Sequence, residues 1–182
     1  MTVPNPMASD SEAVKETALV KGDRRPLIFA GILLGASHAG FFDGIVLHQL
    51  LQWHHMFSNV DATNTIAGMD LNTLGDGLFH LWNWTVEITG LIILWQALKQ
   101  PDANRSGAIF WGALMLGFGL FNVTEGIIDH HLLQIHHVKS GPYQSLYDIG
   151  FLLINTLIAG LGWMRVRPNS IPVGESSART SS

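Results

Sequence analysis

Residues 43–55, DGIVLHQLLQWHH, and residues 125–137, EGIIDHHLLQIHH, decide how this chain folds, because the second stretch repeats the first. Eight of the thirteen positions are identical, and the first position is an acid in both stretches. Six of the nine histidines in the chain occupy matching positions of this motif, namely His48, His54, His55, His130, His136 and His137. Ionisable, metal-capable side chains repeated inside apolar sequence indicate a site in a membrane protein.

The composition supports a membrane protein. Of the 182 residues, 47% are hydrophobic and 13% are charged, about half the charged share of a soluble domain. Stretches without Lys or Arg frame four apolar segments of about the ~20 residues that cross a bilayer, at residues 27–51, 74–98, 108–133 and 146–163. These segments lack the charged face that each helix of a soluble bundle would need. The net charge of −4 gives no basis for nucleic-acid binding, and the absence of cysteine excludes thiolate metal sites.

The sequence predicts an all-α integral membrane four-helix bundle with up-down-up-down topology. A second match supports this architecture, since five residues recur 72 positions later in the chain: Leu74, Asp76, Phe79, Asn83 and Gly90 correspond to Leu146, Asp148, Phe151, Asn155 and Gly162. We therefore expect two helical hairpins, residues 27–98 and 108–163, related by an axis along the membrane normal as a parallel repeat. The predicted membrane domain is residues 26–164, between a flexible tail of residues 1–25 and a disordered tail of residues 165–182.

The basic residues predict the orientation. Nine of the ten Lys and Arg residues lie on one side of a four-span arrangement. The positive-inside rule then predicts an inner (cytoplasmic) membrane protein with both termini in the cytoplasm and the His-His pairs facing outward.

The acids and histidines converge near the outer surface of this arrangement. At ~1.5 Å of rise per residue, seven residues from four helices reach similar depths, and we predict that these are metal ligands: Asp43, His48, Asp76, His80, Glu125, His130 and Asp148. A second tier of candidates comprises His54, His55, Glu87, Asp129, His131, His136 and His137. No Lys or Arg is near enough to pair with the acids, and each charge at bilayer depth costs at least ~2.5–3.5 kcal/mol. A bound cation would offset that cost, and carboxylate with imidazole suits iron, copper, zinc or manganese.

The spacing of acid and histidine allows two interpretations. Asp43 and His48 are five residues apart, which is about 140° around an ideal α-helix. Either a π-bulge brings the two side chains into line, or each helix serves two layers of the bundle, with His48, Gln52 and His55 along a shallower polar face. His38 has no counterpart in the second half, and we expect it to be a core residue.

The repeated motif and the following LGDGLFH resemble a family of small bacterial membrane proteins described only by a domain of unknown function. The resemblance covers residues 26–163. It implies a place near respiratory oxidase assembly, which favours copper or haem chemistry outside the cytoplasmic membrane.

The leading hypothesis is a membrane metal-binding protein, mononuclear or dinuclear, in metal handling or in metal-dependent redox or hydrolytic chemistry. One alternative is a haem-binding electron carrier with His48 and His130, or His80 with one of them, as axial ligands. Others are an ion-conducting unit that uses Asp76, His80 and Glu87, and a non-catalytic subunit or assembly factor of a respiratory complex. The expected partners are the lipid bilayer and either further copies of the chain or a larger respiratory complex. Whether the protein is an enzyme stays open.

Overall fold

All regular secondary structure in the part of the chain that the computed structural model describes, residues 22–61 and 63–167, is helical. The long helices are α1 (Arg25–Phe42), α2 (Ile66–Lys99), α3 (Gly107–Glu125) and α4 (Gln144–Val166). Helices α1 and α3 continue without a break as π-helical segments, Asp43–Leu50 and Gly126–Leu132. The predicted all-α class is confirmed, while most of both predicted tails lies outside the described residues.

Local sequence signals account for the helix boundaries. Pro26 stands in the first turn of α1, where its missing N–H costs nothing. The hydroxyl of Thr65 accepts a hydrogen bond from the Gly68 N–H (3.0 Å) and so caps α2. The hydroxyl of Ser106 caps α3 in the same way. The helices are connected at one end by residues 51–65 and 133–143, which we call the His-loop end, and at the other end by residues 100–106.

Helices α1 and α3 run parallel and pack closely through glycines. A Cβ atom on Gly35 would collide with the Leu114 carbonyl, and one on Gly117 would collide with the Ile32 carbonyl. Small residues at such positions let two backbones approach each other, as in other membrane helix pairs. Because α1 and α3 are parallel, their π-helical segments lie at the same end of the bundle, where the two copies of the motif meet.

The other two helices run antiparallel to their neighbours, α2 against α1 and α4 against α3. The Asn83 side chain of α2 lies against Gly40. Between α3 and α4, the amide of Asn122 donates to the Asn155 side-chain oxygen at 2.8 Å. Pairing across each hairpin is therefore made by buried amides as well as by apolar packing.

The described residues place polar groups inside and large apolar side chains outside. More polar or charged residues than hydrophobic residues are buried, whereas Trp82, Trp95 and Trp111 are all more than half exposed. Three helical stretches are long and apolar enough to cross a membrane, namely Arg25–Leu50, Gly107–Leu132 and Gln144–Val166. Helix α2 does not meet the same standard, although it is the longest at 34 residues.

The core position predicted for His38 is wrong. Its side chain is 54% exposed, on the outside of α1, and Nδ1 donates to the Leu34 carbonyl at 2.7 Å. The ring also lies 3.3 Å from a carboxylate oxygen of Glu87, which accepts a hydrogen bond from the buried Ser37 hydroxyl.

Candidate metal centre

The two π-helical segments bring each acid and the histidine five residues later to the same side of the helix. A π-helix has i→i+5 hydrogen bonds and turns less per residue than an α-helix, so side chains five residues apart come closer to the same side. Nε2 of His48 lies 3.0 Å from Asp43 Oδ2, and Nε2 of His130 lies 3.0 Å from Glu125 Oε1. Of the two interpretations of the spacing, the structure therefore shows the π-helical one.

A left-handed glutamine after each π-helical segment turns the chain back into the bundle. Gln52 has φ 50° and Gln134 has φ 52°, and no other non-glycine among the described residues has a positive φ. The Trp53 N–H donates to the Leu47 carbonyl six residues earlier (2.9 Å). This bond spans one residue more than the bond that closes many α-helix C-termini after a left-handed residue. The reversal in direction brings the first histidine of each His-His pair, His54 or His136, back towards the helix axis.

Two compact groups of potential ligands result. Asp43, His48 and His54 form the first group, in which one ligand atom from each residue lies within 4.8 Å of the others. The second group meets the same limit and consists of Glu125, His130 and His136. Within each group the second histidine also approaches the acid, since Nε2 of His54 lies 3.4 Å from Asp43 Oδ1 and Nε2 of His136 lies 3.0 Å from Glu125 Oε1.

The two groups touch and form one buried centre. The rings of His54 and His136 stack with centroids 4.6 Å apart. His48 lies 6.1 Å from His136, and His130 lies 6.3 Å from His54, again between ring centroids. All four rings are at most 2% exposed. Four imidazoles and two carboxylates from both halves of the chain therefore share a single water-poor site.

The Nδ1 atoms of the four histidines face a surrounding layer of oxygen acceptors. Nδ1 of His48 donates to Asp76 Oδ1 at 2.8 Å. The bonds of the other histidines cross between the halves, since His54 donates to the Val138 carbonyl (2.8 Å) and His136 to the Met56 carbonyl (3.1 Å). Metal-bound histidines usually donate their second nitrogen to a carboxylate or carbonyl in this way, which fixes the ring orientation. His130 is looser, with Nδ1 3.5 Å from Asp148 Oδ1.

Asp76 and Asp148, which the sequence analysis predicts to be ligands, lie in this surrounding layer. Besides His48, Asp76 accepts hydrogen bonds from Nδ1 of His55 (2.7 Å) and from the Met56 N–H (3.0 Å). In the second half, Asp148 accepts the corresponding hydrogen bonds from Nδ1 of His137 (2.7 Å) and from the Val138 N–H (3.0 Å). Both carboxylates therefore orient histidines, while His55 and His137 hold those carboxylates from outside.

Four further candidates lie apart from the two groups. His80 donates through Nδ1 to the Asp76 carbonyl (2.8 Å), and its buried Nε2 faces Gly44. Glu87 lies further along α2, beside Ser37 and His38. His131 is exposed, and Asp129 is half-buried one turn beyond Glu125.

Burial also keeps the loop histidine in its metal-binding form. His54 lies after the π-helical segment, and loss of hydration holds the pKa of its imidazole below the ordinary value of 6.5. The nearby Asp43 carboxylate acts in the opposite direction, and the charges of His136 and His48 add to the lowering. A neutral imidazole is the form that binds metal ions.

The family of the chain follows from its sequence match. Residues 30–169 match the family described as "Predicted membrane protein (DUF2243)", a length well over half of the chain. The chain belongs to this family. The match covers α1 from residue 30 onward, the other three helices and both ligand groups, and it confirms the resemblance predicted from the repeated motif. Neither the curated proteins nor the solved structures contain a match to the chain.

The structure places His54 and His136, second-tier candidates in the sequence, inside the two groups, and it gives roles to four backbone positions that the sequence did not single out. Both histidines were assigned to the second tier because they follow the apolar segments, yet they complete the two groups. The repeated Gln52 and Gln134 carried a usable signal, since a residue kept in both copies directly before the histidine pair marks a turn that both copies need. The carbonyls of Met56 and Val138 left no signal, because any residue supplies a backbone carbonyl.

Proposed function

We propose that this protein is a membrane metal-binding protein whose centre holds two transition-metal ions side by side, one in each ligand group. Each group offers two imidazole nitrogens and one carboxylate. The same ligand set holds iron in non-haem oxygenases and, as two histidines and a glutamate, zinc in metalloproteases. Iron, zinc, manganese and copper are therefore the candidate ions.

The observation that carries this proposal is the direction in which the imidazole lone pairs point. A neutral imidazole has one N–H, and His48 and His54 each use it at Nδ1 on an oxygen acceptor. Nε2 of each ring then presents a lone pair to the Asp43 carboxylate, at 3.0 Å from His48 and at 3.4 Å from His54. Lone pairs facing each other repel, whereas a cation between them is bound by both.

Protonation of the histidines accounts for this geometry less well. The buried Nε2 atoms of His48, His54 and His130 are not aligned for a hydrogen bond, although a carboxylate oxygen is close to each. Nε2 of His136 does make such a bond, to Glu125 Oε1 at 3.0 Å. Protonated rings would also place two positive charges in the stacked pair, 4.6 Å apart between centroids. Like charges in a buried site repel strongly. Ligation to a metal ion needs neither an N–H at Nε2 nor a charge on the ring.

A non-haem centre is favoured over haem. Axial ligands such as His48 and His130 would need a flat macrocycle between them, but the rings of His54 and His136 occupy the middle of the centre. The carboxylates would also have no role in haem ligation.

We further propose that α2 is the fourth span. Helices α1 and α3 are parallel, so the chain must return across the same thickness between them, and α2 is the helix that makes this return. Four spans leave both ends of the described chain on one side, and the positive-inside rule assigns that side to the cytoplasm. The matched contacts of the two ligand groups support a parallel repeat of two hairpins.

The number of protein ligands per ion favours a reaction at the metal ions over metal storage. Three protein ligands per ion leave coordination positions free for water or substrate, as in catalytic sites, whereas structural zinc sites are closed by four. A dinuclear centre with such positions supports redox or hydrolytic reactions. A subunit role in a respiratory complex is compatible with the same centre.

Elemental analysis tests the proposed function directly. Protein purified in detergent without a metal-affinity step, then loaded with Fe²⁺, Zn²⁺, Mn²⁺ or Cu²⁺ and desalted, should retain about two ions per chain. The matched variants are His54→Ala, which removes a ligand, and His55→Ala, which removes a neighbour from the surrounding layer. We expect His54→Ala to lose one ion or more and His55→Ala to keep both with weaker affinity. If the wild-type protein retains no metal, the histidines are structural and the proposed function is wrong.

A further inference from the structure

A cleft between α2 and α3 reaches the metal centre at Glu125. It has a volume of about 260 Å³ and is lined by Phe79 and Trp82 of α2, by Phe121 and Glu125 of α3, and by Ile128 and Asp129 of the π-helical segment that follows α3. Trp82 is 60% exposed and Ile128 is 41% exposed, so the cleft opens on the apolar outer surface of the bundle. Glu125, a member of the second ligand group, is the point where the cleft meets the centre.

The two carboxylates of the ligand groups are used differently. Asp43 divides its oxygens, one facing His48 (3.0 Å) and the other facing His54 (3.4 Å). Glu125 instead turns a single oxygen, Oε1, towards both of its histidines, each at 3.0 Å. Its second oxygen, Oε2, is buried and accepts no hydrogen bond. Glu125, where the cleft meets the centre, therefore carries a buried acceptor without a hydrogen-bond partner.

The repeated sequence does not carry this cleft in its first half. The positions 82 residues before Phe121 and Asp129 are Ala39 and Leu47, and both are buried. The first half therefore lacks the aromatic side chain that Phe121 supplies and the additional acid that Asp129 supplies. The two ligand groups are alike in their ligands but differ in their surroundings.

The walls and charges of the cleft select its ligand. Phe79 and Phe121 lie 6.2 Å apart between ring centroids, and Trp82 lines the same space, so the walls suit an aromatic body. The carboxylates of Glu125 and Asp129 disfavour an anion, and the surrounding apolar surface disfavours any charged molecule. The free Glu125 oxygen requires a donor, which a hydroxyl supplies.

We infer that this cleft is the ligand site of the metal centre, and that it admits a neutral, lipid-soluble phenol or hydroquinone to the Glu125 side alone. The inference rests on the proposed function, because the ligand is expected to reach the ion of the second group. The ion on the Asp43 side is then closed to ligands and supports the ion on the Glu125 side.

The test uses Co²⁺ as a spectroscopic metal and phenol as the ligand. The full chain is loaded with Co²⁺ in detergent, two ions per chain are confirmed by elemental analysis, and phenol is titrated while the visible absorption bands are followed. We expect a saturable change that corresponds to one phenol per chain, and a much weaker response to benzoate, which has a similar ring but a negative charge.

Matched variants locate the binding site. Ile128→Trp fills the cleft and should weaken phenol binding by about tenfold or more, whereas Val46→Trp, at the matching position 82 residues earlier, should leave it unchanged. Asp129→Asn removes one negative charge without changing the shape, so the affinity for benzoate should rise. Should Ile128→Trp fail to fold, Ile128→Ala widens the same cleft and should admit a bulkier tert-butylphenol that the wild type rejects.

The outcomes separate this inference from the proposed function. If Co²⁺ does not bind, the proposed function fails before phenol is added. If two ions bind but phenol leaves the spectrum unchanged, or if Ile128→Trp and Val46→Trp weaken phenol equally, the cleft is not the ligand site and the metal centre stands without it.

Discussion

The imidazole rings of His54 and His136 lie face to face across the bundle, with centroids 4.6 Å apart and planes 8° from parallel. Each ring belongs to the ligand group of its own half, while its Nδ1 donates to a carbonyl of the other half. This exchange ties the two loops together, so a change in one ligand group is expected to reach the other. The stacking also favours neutral rings, because two imidazolium ions in this position would repel.

Metal occupancy should fall as the pH falls. Protons compete with metal ions for Nε2, so at a fixed free metal concentration occupancy is highest above the histidine range and is lost on acidification through it. Occupancy measured between pH 8 and pH 5 tests this. Equal occupancy across the range would contradict histidine ligation, and the exposed His131→Ala variant should follow the wild-type curve.

The metal-free protein should also lose stability on acidification. In the folded state burial lowers the pKa of His54 below the ordinary value of 6.5. The unfolded chain therefore binds the proton more readily. The contribution of His54 is fully present above about pH 6.5 and is lost as the pH falls towards the folded pKa, with a slope of at most about 1.4 kcal/mol per pH unit. Thermal unfolding of wild-type and His54→Gln protein, compared over this range, measures the difference, which should vanish if His54 is solvated.

Removal of the charge on Asp76 should weaken metal binding without removing a ligand. Asp76→Asn keeps the shape but replaces an ionised acceptor for His48, and such changes around a metal site typically cost about 10- to 100-fold in affinity. Competition with a chelator gives the ratio. Asp70→Asn, on the exposed face of the same helix, is the control and should bind as the wild type does. Complete loss of one ion would instead indicate that Asp76 is itself a ligand.

Gln52 should accept glycine but not a β-branched residue. Its φ of 50° suits glycine, whereas most side chains pay about 1–2 kcal/mol in the left-handed region and β-branched ones pay more. Gln52→Gly should keep both ions, while Gln52→Val should displace His54 and lose metal. Gln49→Val makes the same substitution inside the π-helical segment, where φ is not left-handed, and is the control. If Gln52→Val retains the centre, the left-handed turn is not what positions His54.

The parallel contact of α1 and α3 should depend on the absence of a side chain at Gly35. Gly35→Ala would press a methyl group into the Leu114 carbonyl and force the helices apart, with a cost of about 1–3 kcal/mol. Gly77→Ala adds the same methyl group in open space on α2 and should stabilise that helix by up to about 1 kcal/mol. The apparent melting temperature in detergent distinguishes the two, and an unchanged value for Gly35→Ala would contradict the close contact.

Cysteine labelling tests the four-span topology, since the chain has no cysteine of its own. We expect Asn64→Cys at the His-loop end to react with an impermeant maleimide in intact cells, and Asp102→Cys at the opposite end to react only after permeabilisation. Both residues are exposed, so burial does not protect them. Labelling of both in intact cells would rule out α2 as a span.

The sequence by itself determined the membrane character of the chain and the recurrence of acids and histidines at matching positions of its two halves. These properties follow from composition and from spacing along the chain, which folding does not change. The acids at apolar depth without basic partners indicated a cation, and the repeat of the histidines indicated two equivalent positions. The choice of Asp43, His48, Glu125 and His130 as site residues needed nothing beyond this.

Only the tertiary structure decided which side chains face the same point. On an ideal α-helix His48 would point about 140° away from Asp43, and the π-helical segment removes that angle. His54 follows the segment in sequence and returns only because Gln52 turns the chain back. Asp76 is near the centre in depth, yet three donors occupy its oxygens. Each of these facts depends on helix register and loop direction. The close packing of α1 against α3 sets both of these properties in each half, and no local sequence signal carries them.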